Sequence, residues 1–381
     1  MIRKCCLCLS PTALAAAIAT GIFVFVLFPN IIDKKIEEEI IIKNGSDSWE
    51  RFVNFPITVR WGIYYFHIKN ADNFTGDVSM LQYEERGPYI FDEYWTKVVS
   101  EISSDEKNLT YKLQRTYTFN PKLSGNRNAR IEKVNIVNPF LTNIFAGNVK
   151  KLTIHDTAEN IAFAGTGDLF TASFFTKQGL KTSDGPRDMF STEEEALTIS
   201  TGKSNPKDVL KILSFPSNHR NVWDDLNDTD CNALHGTTDG TQFHPNVKKN
   251  DLLWAYEPLI CRELSFRNEL ENVEIRGIKT LRFVAEDRNF QSNIPENKCF
   301  CYKDHEPCED DTFPLTKCGR ADTMDIMGST PYFRMNPKLR KKIGLEAPKE
   351  VNNENYGTYA DIEPVIKNYK FYFKLFSNKF I

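Results

Sequence analysis

The chain has 381 residues, a net charge of −3 and 26% charged residues. That near-neutral balance gives no footing for nucleic-acid binding. The mean hydropathy of −0.43 marks most of the chain as a water-soluble body, and the roughly 350 residues after an N-terminal apolar run suffice for a large core in one or two domains.

Cys5, Cys6 and Cys8 open the chain and border an uncharged run that reaches Ile32. Its densest part, Thr12 to Phe28, is long enough to cross a bilayer once Leu7 to Leu9 are counted, since about 20 residues are needed. A cleaved signal peptide is the rival. Arg3 and Lys4 suit one, but Phe28-Pro29-Asn30 lacks the small residues of a cleavage site. The run therefore reads as a retained membrane helix. Thiols beside a membrane are accessible to palmitoylation; the plainer alternative is small apolar residues at a helix end.

Ile36, Ile40 and Ile41 recur at helical spacing among Lys and Glu. A second short helix is predicted over Asp47 to Phe52, capped by Ser46 or Asp47. The period then changes to two: Ile57, Val59, Trp61, Ile63 and Tyr65 alternate with Thr58, Arg60, Gly62 and Tyr64, predicting a half-buried strand. Tyr89 and Phe91 continue a strand after a Gly87-Pro88 turn. Leu109, Tyr111, Leu113, Tyr117 and Phe119 give another, joined to its neighbour by the turn cluster Ser103-Ser104-Asp105, as in an antiparallel meander. Short helices are expected over 138–151. Lys279, Leu281, Phe283 and Ala285 form a weaker strand pattern, Pro295 to Cys318 is loop-rich, and Tyr369 to Ile381 reads as a final strand.

Six cysteines, Cys231, Cys261, Cys299, Cys301, Cys308 and Cys318, cluster in the C-terminal half. An even set on one side of a hydrophobic segment reads as a disulfide framework in an oxidising compartment, with fifteen pairings open. A zinc knuckle built on Cys299-x-Cys301 with Cys308 and Cys318 is the rival, and the export signals weigh against it. The sequons Asn44, Asn73, Asn108 and Asn227 all follow the apolar run, as glycosylation of an exported body requires. Together these features place the N-terminus in the cytosol and the bulk outside.

Catalytic patterns are missing from the sequence. The six histidines form no His-x-x-x-His pair, and His235 and His244, which flank a Gly-rich turn, lack a third ligand. Gly165-Thr166-Gly167 lacks the third glycine of a dinucleotide loop, and there is no Gly-x-Ser-x-Gly elbow. The chain reads as a non-enzyme needing neither metal nor cofactor. Its 28 phenylalanines suit an apolar conduit or an ordinary core equally.

Several motifs in fixed order carry a resemblance. They are Trp49 to Pro56, then Glu85-Arg86-Gly87-Pro88-Tyr89-Ile90-Phe91, then Tyr117-Thr118-Phe119-Asn120-Pro121 and Asn232 to Gly240. Ile260-Cys261-Arg262, Cys299-Phe300-Cys301 and Tyr359 to Pro364 follow. With these the chain resembles the class B scavenger receptor (CD36) family over nearly its whole length. Phe119 to Gly125, Arg276 to Thr280 and the short Cys301-to-Cys308 spacing make it similar to the arthropod sensory neuron membrane proteins within that family.

The resemblance implies an α+β fold: an N-terminal transmembrane helix and an antiparallel β-barrel-like ectodomain with short apical helices and a hydrophobic tunnel. It implies the pairings Cys231–Cys299, Cys261–Cys318 and Cys301–Cys308. It divides the chain into a cytosolic tail (1–9), a membrane helix (10–30) and an extracellular domain (31–381). The implied function is reception of fatty-acid-derived, pheromone-like lipids and their delivery to membrane lipid or a partner odorant receptor. General lipid uptake, protein trafficking or an inactive short form are the alternatives. Lys150 and Lys151 stand near the apical segment, where they would meet a carboxylate head group; a solvated surface pair is the plainer reading. The sequence departs from the family in three ways. It ends soon after Pro364, where further strands and a second membrane helix are expected. The 138–161 segment is short, and Phe243-His244-Pro245 replaces Phe-Pro-Pro.

Overall fold

The structure, a computed structural model, describes residues 11–75, 77–137, 152–164, 189–193, 196–215, 233–258, 260–275, 277–301, 308–314, 327–351, 356–364 and 374–376. The helices anticipated over 138–151 lie outside these.

The chain opens with one long helix in three parts: α1 (Pro11–Ile22), a π-helical turn (Phe23–Leu27) and α2 (Phe28–Ile40). The Phe28 N–H donates to the Phe23 carbonyl, five residues back. Pro29 explains that wider turn: it has no N–H to give, and its ring crowds the carbonyl four residues earlier. The apolar run and the charged Asp33–Ile40 stretch thus form one helix, which passes residue 30 without a break. The helix from Ala13 to Ile40 is long and apolar enough to cross a membrane, and its apolar window is unburied by the body. Leu14, Ile18, Phe25 and Ile31 are all exposed. Its far end is different. Ile36 is half-buried, and Ile40 and Ile42 enter the core, which gives the predicted isoleucine spacing a docking role. The helix α3 (Asp47–Val53) follows, with the Ser46 hydroxyl capping it by accepting from the Trp49 N–H.

The strands are β1 (Val59–Ile68), β2 (Tyr83–Ile102), β3 (Asn108–Phe119), β4 (Lys133–Val137), β5 (Thr153–Thr157), β6 (Met189–Glu193), β7 (Leu197–Ser200), β8 (Ile212–Ser214), β9 (Leu252–Glu257), β10 (Arg262–Ile275), β11 (Ile278–Ala285), β12 (Thr312–Pro314), β13 (Met327–Ser329), β14 (Tyr359–Ile362) and β15 (Lys374–Phe376). A seven-stranded sheet runs β15-β1-β2-β3-β7-β8 with β6 also on β3, and a four-stranded sheet runs β14-β11-β10-β9. Every pairing within these two sheets is antiparallel except β1 with β15. The sheets are mostly antiparallel, as expected, and among the described residues neither closes on itself.

The two sheets share a seam. Thr237 and Thr238 lie between β8 and β9: Ile212 N–H donates to the Thr237 carbonyl (2.9 Å), Thr238 N–H to Trp254 (3.1 Å), and Tyr256 N–H to Thr238 (2.9 Å). Through this two-residue strip the backbone hydrogen bonding is continuous from β15 to β14.

β3 follows its predicted alternation, with every odd residue from Leu109 to Phe119 buried. β1 does not: from Trp61 onward both faces are buried, because Tyr332, Tyr356 and the β4–β5 hairpin cover the side that a two-period pattern assigns to water. Asn135 donates to His67 Nδ1 there (2.9 Å), and Tyr64 packs on Tyr332 and Tyr356. Gly87-Pro88 is no turn either. It lies inside β2 as a cis peptide, opposite a shift in the β1–β2 register between Ile63 and Tyr65. Gly87 has φ +150°, and a Cβ there would stand 2.6 Å from the Ile63 carbonyl oxygen. Gly87→Ala should therefore lower stability by about 1–3 kcal/mol through overpacking against β1, read as a reduced urea midpoint; an unchanged midpoint would contradict this packing.

Candidate functional site

The inward face of the large sheet is zoned. Odd residues of β2 point in, and Tyr89 and Phe91 are followed by Glu93, Trp95 and Lys97, all buried. On β3, Arg115 lies in phase with Tyr111 and Tyr117 and is equally buried. One zone is aromatic: Phe91 packs on Phe119 (centroids 5.4 Å) and Phe163 (4.8 Å), and Phe163 on Tyr117 (5.0 Å). The other zone is ionic.

Lys97 Nζ lies 2.5 Å from Asp239 Oδ2 and donates to Thr241 Oγ1 at 2.8 Å. Tyr111 OH donates to Asp239 Oδ2 at 2.6 Å, and the Thr241 N–H and hydroxyl donate to Asp239 Oδ1 at 2.9 and 2.6 Å. The ammonium also stands 4.2 Å from the Phe52 ring centroid. Burial pulls Lys97 below its ordinary range against the attraction of Asp239. Burial alone would raise Asp239, but Lys97, Thr241 and Tyr111 together hold it below the usual carboxylate range. Beside this pair, the Arg115 guanidinium lies 3.5 Å from both Glu93 and Glu257, and Trp61 Nε1 donates to Glu93. Burial pushes the Glu93 carboxyl up to about 7; Arg115 opposes the shift and Glu257 adds to it.

Asp239 stands one residue past the Thr237–Thr238 seam, and Glu257 ends β9, so both clusters tie the large sheet to the segment leading into the small one. His235 secures the same loop: its Nδ1 meets Glu263 of β10, which also accepts from the Thr237 hydroxyl, and its ring stacks on Trp254 at 4.8 Å. His244 is engaged elsewhere, 3.5 Å from Asp251, so the two histidines serve separate contacts. Among the described residues no cluster of three or more His, Cys, Asp or Glu is placed to hold a metal.

Of the residues singled out by sequence, Cys301 and Cys308 are bonded to each other, with Cα atoms 5.8 Å apart. Cys299 is disulfide-bonded, and Cys261 is buried with its sulfur 3.5 Å from the Pro258 carbonyl oxygen. Asn44, Asn73 and Asn108 are exposed. Cys5, Cys6, Cys8, Lys150, Lys151, Asn227, Cys231 and Cys318 lie outside the described residues. Sequence reasoning does not single out Glu93, Lys97, Arg115 or Asp239; charge at inward-parity positions of β2 and β3 is the available signal for the first three, and Asp239, in a loop, has none.

A helix long and apolar enough to cross a membrane is seated in a β-rich body, in which Lys97 faces Asp239 and Arg115 faces Glu93 and Glu257. The sequence pattern of the CD36 family matches residues 12–366. The chain belongs to the CD36 family, and with it to the scavenger class of membrane receptors. It is similar to sensory neuron membrane protein 1 of Apis mellifera, with 28% identity over 91% of this chain and 72% of that protein. The same-named proteins of Plutella xylostella (27%, covering 92% and 73%) and Heliothis virescens (25%, covering 92% and 74%) are also similar.

Asp239→Asn would leave the Lys97 ammonium buried without its counter-charge. The expected loss is about 3–5 kcal/mol, partly recovered by adding Lys97→Met, and a double variant no better than the single would refute the pairing. The Glu93 shift sets a pH dependence. With its carboxyl raised from 4.5 to about 7, the neutral form's contribution is full below pH 4.5 and is lost as pH rises through 7. Between pH 5 and 8 the wild type should lose up to about 3 kcal/mol more than Glu93→Gln; parallel urea profiles for the two would contradict this.

Proposed function

We propose that the protein is a membrane-anchored receptor for hydrophobic, fatty-acid-derived ligands of pheromone type, which it delivers to membrane lipid or to a partner odorant receptor. The observation that carries this reading is the similarity to sensory neuron membrane protein 1 along about nine-tenths of the chain, joined to an apolar helix that runs directly into the body. Transfer of such a ligand needs no catalytic residue. Its driving force is burial of alkyl chain, about 0.8 kcal/mol per CH₂, so a dozen carbons supply roughly 9 kcal/mol before the entropy of binding is subtracted. A hydrophobic tunnel through the body is the route this reading requires.

The proposal carries an orientation. The tail 1–9 lies in the cytosol with Cys5, Cys6 and Cys8 palmitoylated, the helix beginning near residue 10 spans the membrane, and the body is extracellular. The exposure of Asn44, Asn73 and Asn108 supports glycosylation there, with Asn227 as a fourth site. The Cys301–Cys308 bond supports an oxidising compartment, with Cys231–Cys299 and Cys261–Cys318 as the remaining pairs. Lys150 and Lys151 are proposed to meet a ligand carboxylate.

The test is equilibrium binding of a tritiated long-chain fatty acyl ligand to the full chain in nanodiscs. Saturable binding that weakens as the alkyl chain is shortened is expected, by about 0.8 kcal/mol per methylene; the absence of saturable binding would overturn the reading.

A further inference from the structure

Three tyrosines from separate parts of the chain meet around one carboxylate. Tyr64 lies in β1, between Ile63 and Tyr65, where the register with β2 shifts. Gly87 makes room for its ring: a Cβ there would stand 2.8 Å from a Tyr64 ring carbon. Tyr332 follows Pro331, and Tyr356 lies just before β14. The ring centroids are 6.1 Å apart for Tyr64–Tyr332, 6.3 Å for Tyr64–Tyr356 and 5.2 Å for Tyr332–Tyr356, and the ring planes cross at 68°, 60° and 78°. Tyr64 is buried, whereas Tyr332 and Tyr356 are half-buried. The three rings form a corner with a closed floor and two partly wetted walls.

Glu85 of β2 completes the corner. Its Oε2 accepts from the Tyr332 N–H at 3.0 Å. Burial first, and the Glu85 charge after it, hold all three phenols above their ordinary range, so the carboxylate stands close to every one of them. The backbone that presents Tyr332 is strained. Tyr332 and Phe333 are both left-handed, with φ +54° and +44°, a costly conformation for any residue but glycine. The Glu85 hydrogen bond and the stacking of Phe333 on Phe66 (5.3 Å) hold that turn in place.

The neighbouring charges are of two kinds. Arg86 is matched by Glu84, and Arg127 by Glu132. Arg340 is different. It lies on a fourth helix, α4 (Pro337–Lys342), whose Leu339 packs with Tyr332 on the cluster of Phe66, Phe333 and Leu345. Arg340 Nη1 donates to the Tyr332 carbonyl at 3.2 Å, and among the described residues Arg340 forms no ion pair. Around it Lys338, Lys341, Lys342 and Lys349 outnumber Glu346 and Glu350. A small cation drawn to Glu85 would therefore be opposed by α4, and a small anion drawn to α4 would be opposed by Glu85. A zwitterion satisfies both.

The rings decide which zwitterion. A cation is attracted to an aromatic face within about 6 Å of its centroid, most strongly when it is desolvated. With the three centroids so close together, one cation can serve all three rings. A primary ammonium is strongly hydrated. A trimethylammonium has no N–H to strip of water, and it presents methyl groups to the rings. Arg340 offers the planar fork that suits a phosphate. We propose that Tyr64, Tyr332, Tyr356 and Glu85 form an aromatic cage for the trimethylammonium group of a phosphocholine-type zwitterion, with Arg340 binding its phosphate. The cage is separate from the fatty-ligand site proposed above and does not depend on it.

The experiment is isothermal titration calorimetry of the full chain in dodecyl maltoside micelles, which carry no choline. Free phosphocholine should bind saturably. Phosphoethanolamine, which lacks the methyl groups, should bind roughly ten-fold more weakly. Glu85→Gln and Tyr356→Leu should weaken phosphocholine and choline alike, and Tyr356→Phe should restore binding. Arg340→Gln should weaken phosphocholine and leave choline unchanged. Glycerophosphocholine, with the phosphodiester of a lipid headgroup, separates the sources: binding at least as tight as phosphocholine marks a headgroup site and weaker binding a site for the free zwitterion, and either supports the cage. Absence of saturable phosphocholine binding, or equal binding of phosphocholine and phosphoethanolamine by the wild type, overturns it.

Discussion

The carboxylate of Asp239 holds the two halves of the body in register. Its loop supplies the strip of backbone that joins β8 to β9, and its side chain reaches Lys97 on β2 and Tyr111 on β3. A buried ion pair is weak support for stability, because desolvation consumes much of the attraction. It is strong support for position. A slip of β2 by one residue would turn Lys97 to the surface and strand Asp239 in the core, so the wrong register is excluded at a cost that an apolar pair would not impose. Arg115, set between Glu93 and Glu257, repeats the device one step along the same two strands.

Local structure was legible where a segment has one wet face. β3 is such a segment, and its predicted alternation matches residue by residue. So was the second helix, because Ser46 offers its hydroxyl to the first turn. β1 was misjudged as half-buried, since no periodicity within Val59–Ile68 reports that other parts of the chain cover its second face. The Gly87-Pro88 pair was misread for a related reason. Glycine and proline punctuate turns locally, and only the approach of Ile63 shows that the glycine serves a strand crossing. The ionic lock joins residues more than a hundred positions apart, beyond any window of local pattern. Yet its members were marked: Arg115 sits in phase between Leu113 and Tyr117, where an unpartnered charge is costly.

The long helix links this core to the proposed membrane. Its isoleucines at 36 and 40 continue the helix that begins among lipid-compatible side chains. Ile42 then enters the core as its backbone joins the 201 turn. An anchor coupled this way carries orientation as well as attachment. The β2–β3 turn is brought to the same end as the helix exit, through the Ile42–Thr201 and Thr201–Lys107 backbone hydrogen bonds.

That geometry bears on where an oily ligand would reside. Along β2 the ionic zone at Glu93 to Lys97 lies toward the helix exit, and the aromatic zone at Tyr89 and Phe91 lies away from it. Methylene groups gain free energy only where they replace water or fill apolar space. Among Lys97, Asp239, Arg115 and Glu93 they would displace hydrogen bonds whose loss costs more than an alkyl contact returns. On the proposed function the alkyl chain therefore belongs with Phe91, Phe119 and Phe163, and the ionic zone is a joint that the ligand must pass beside.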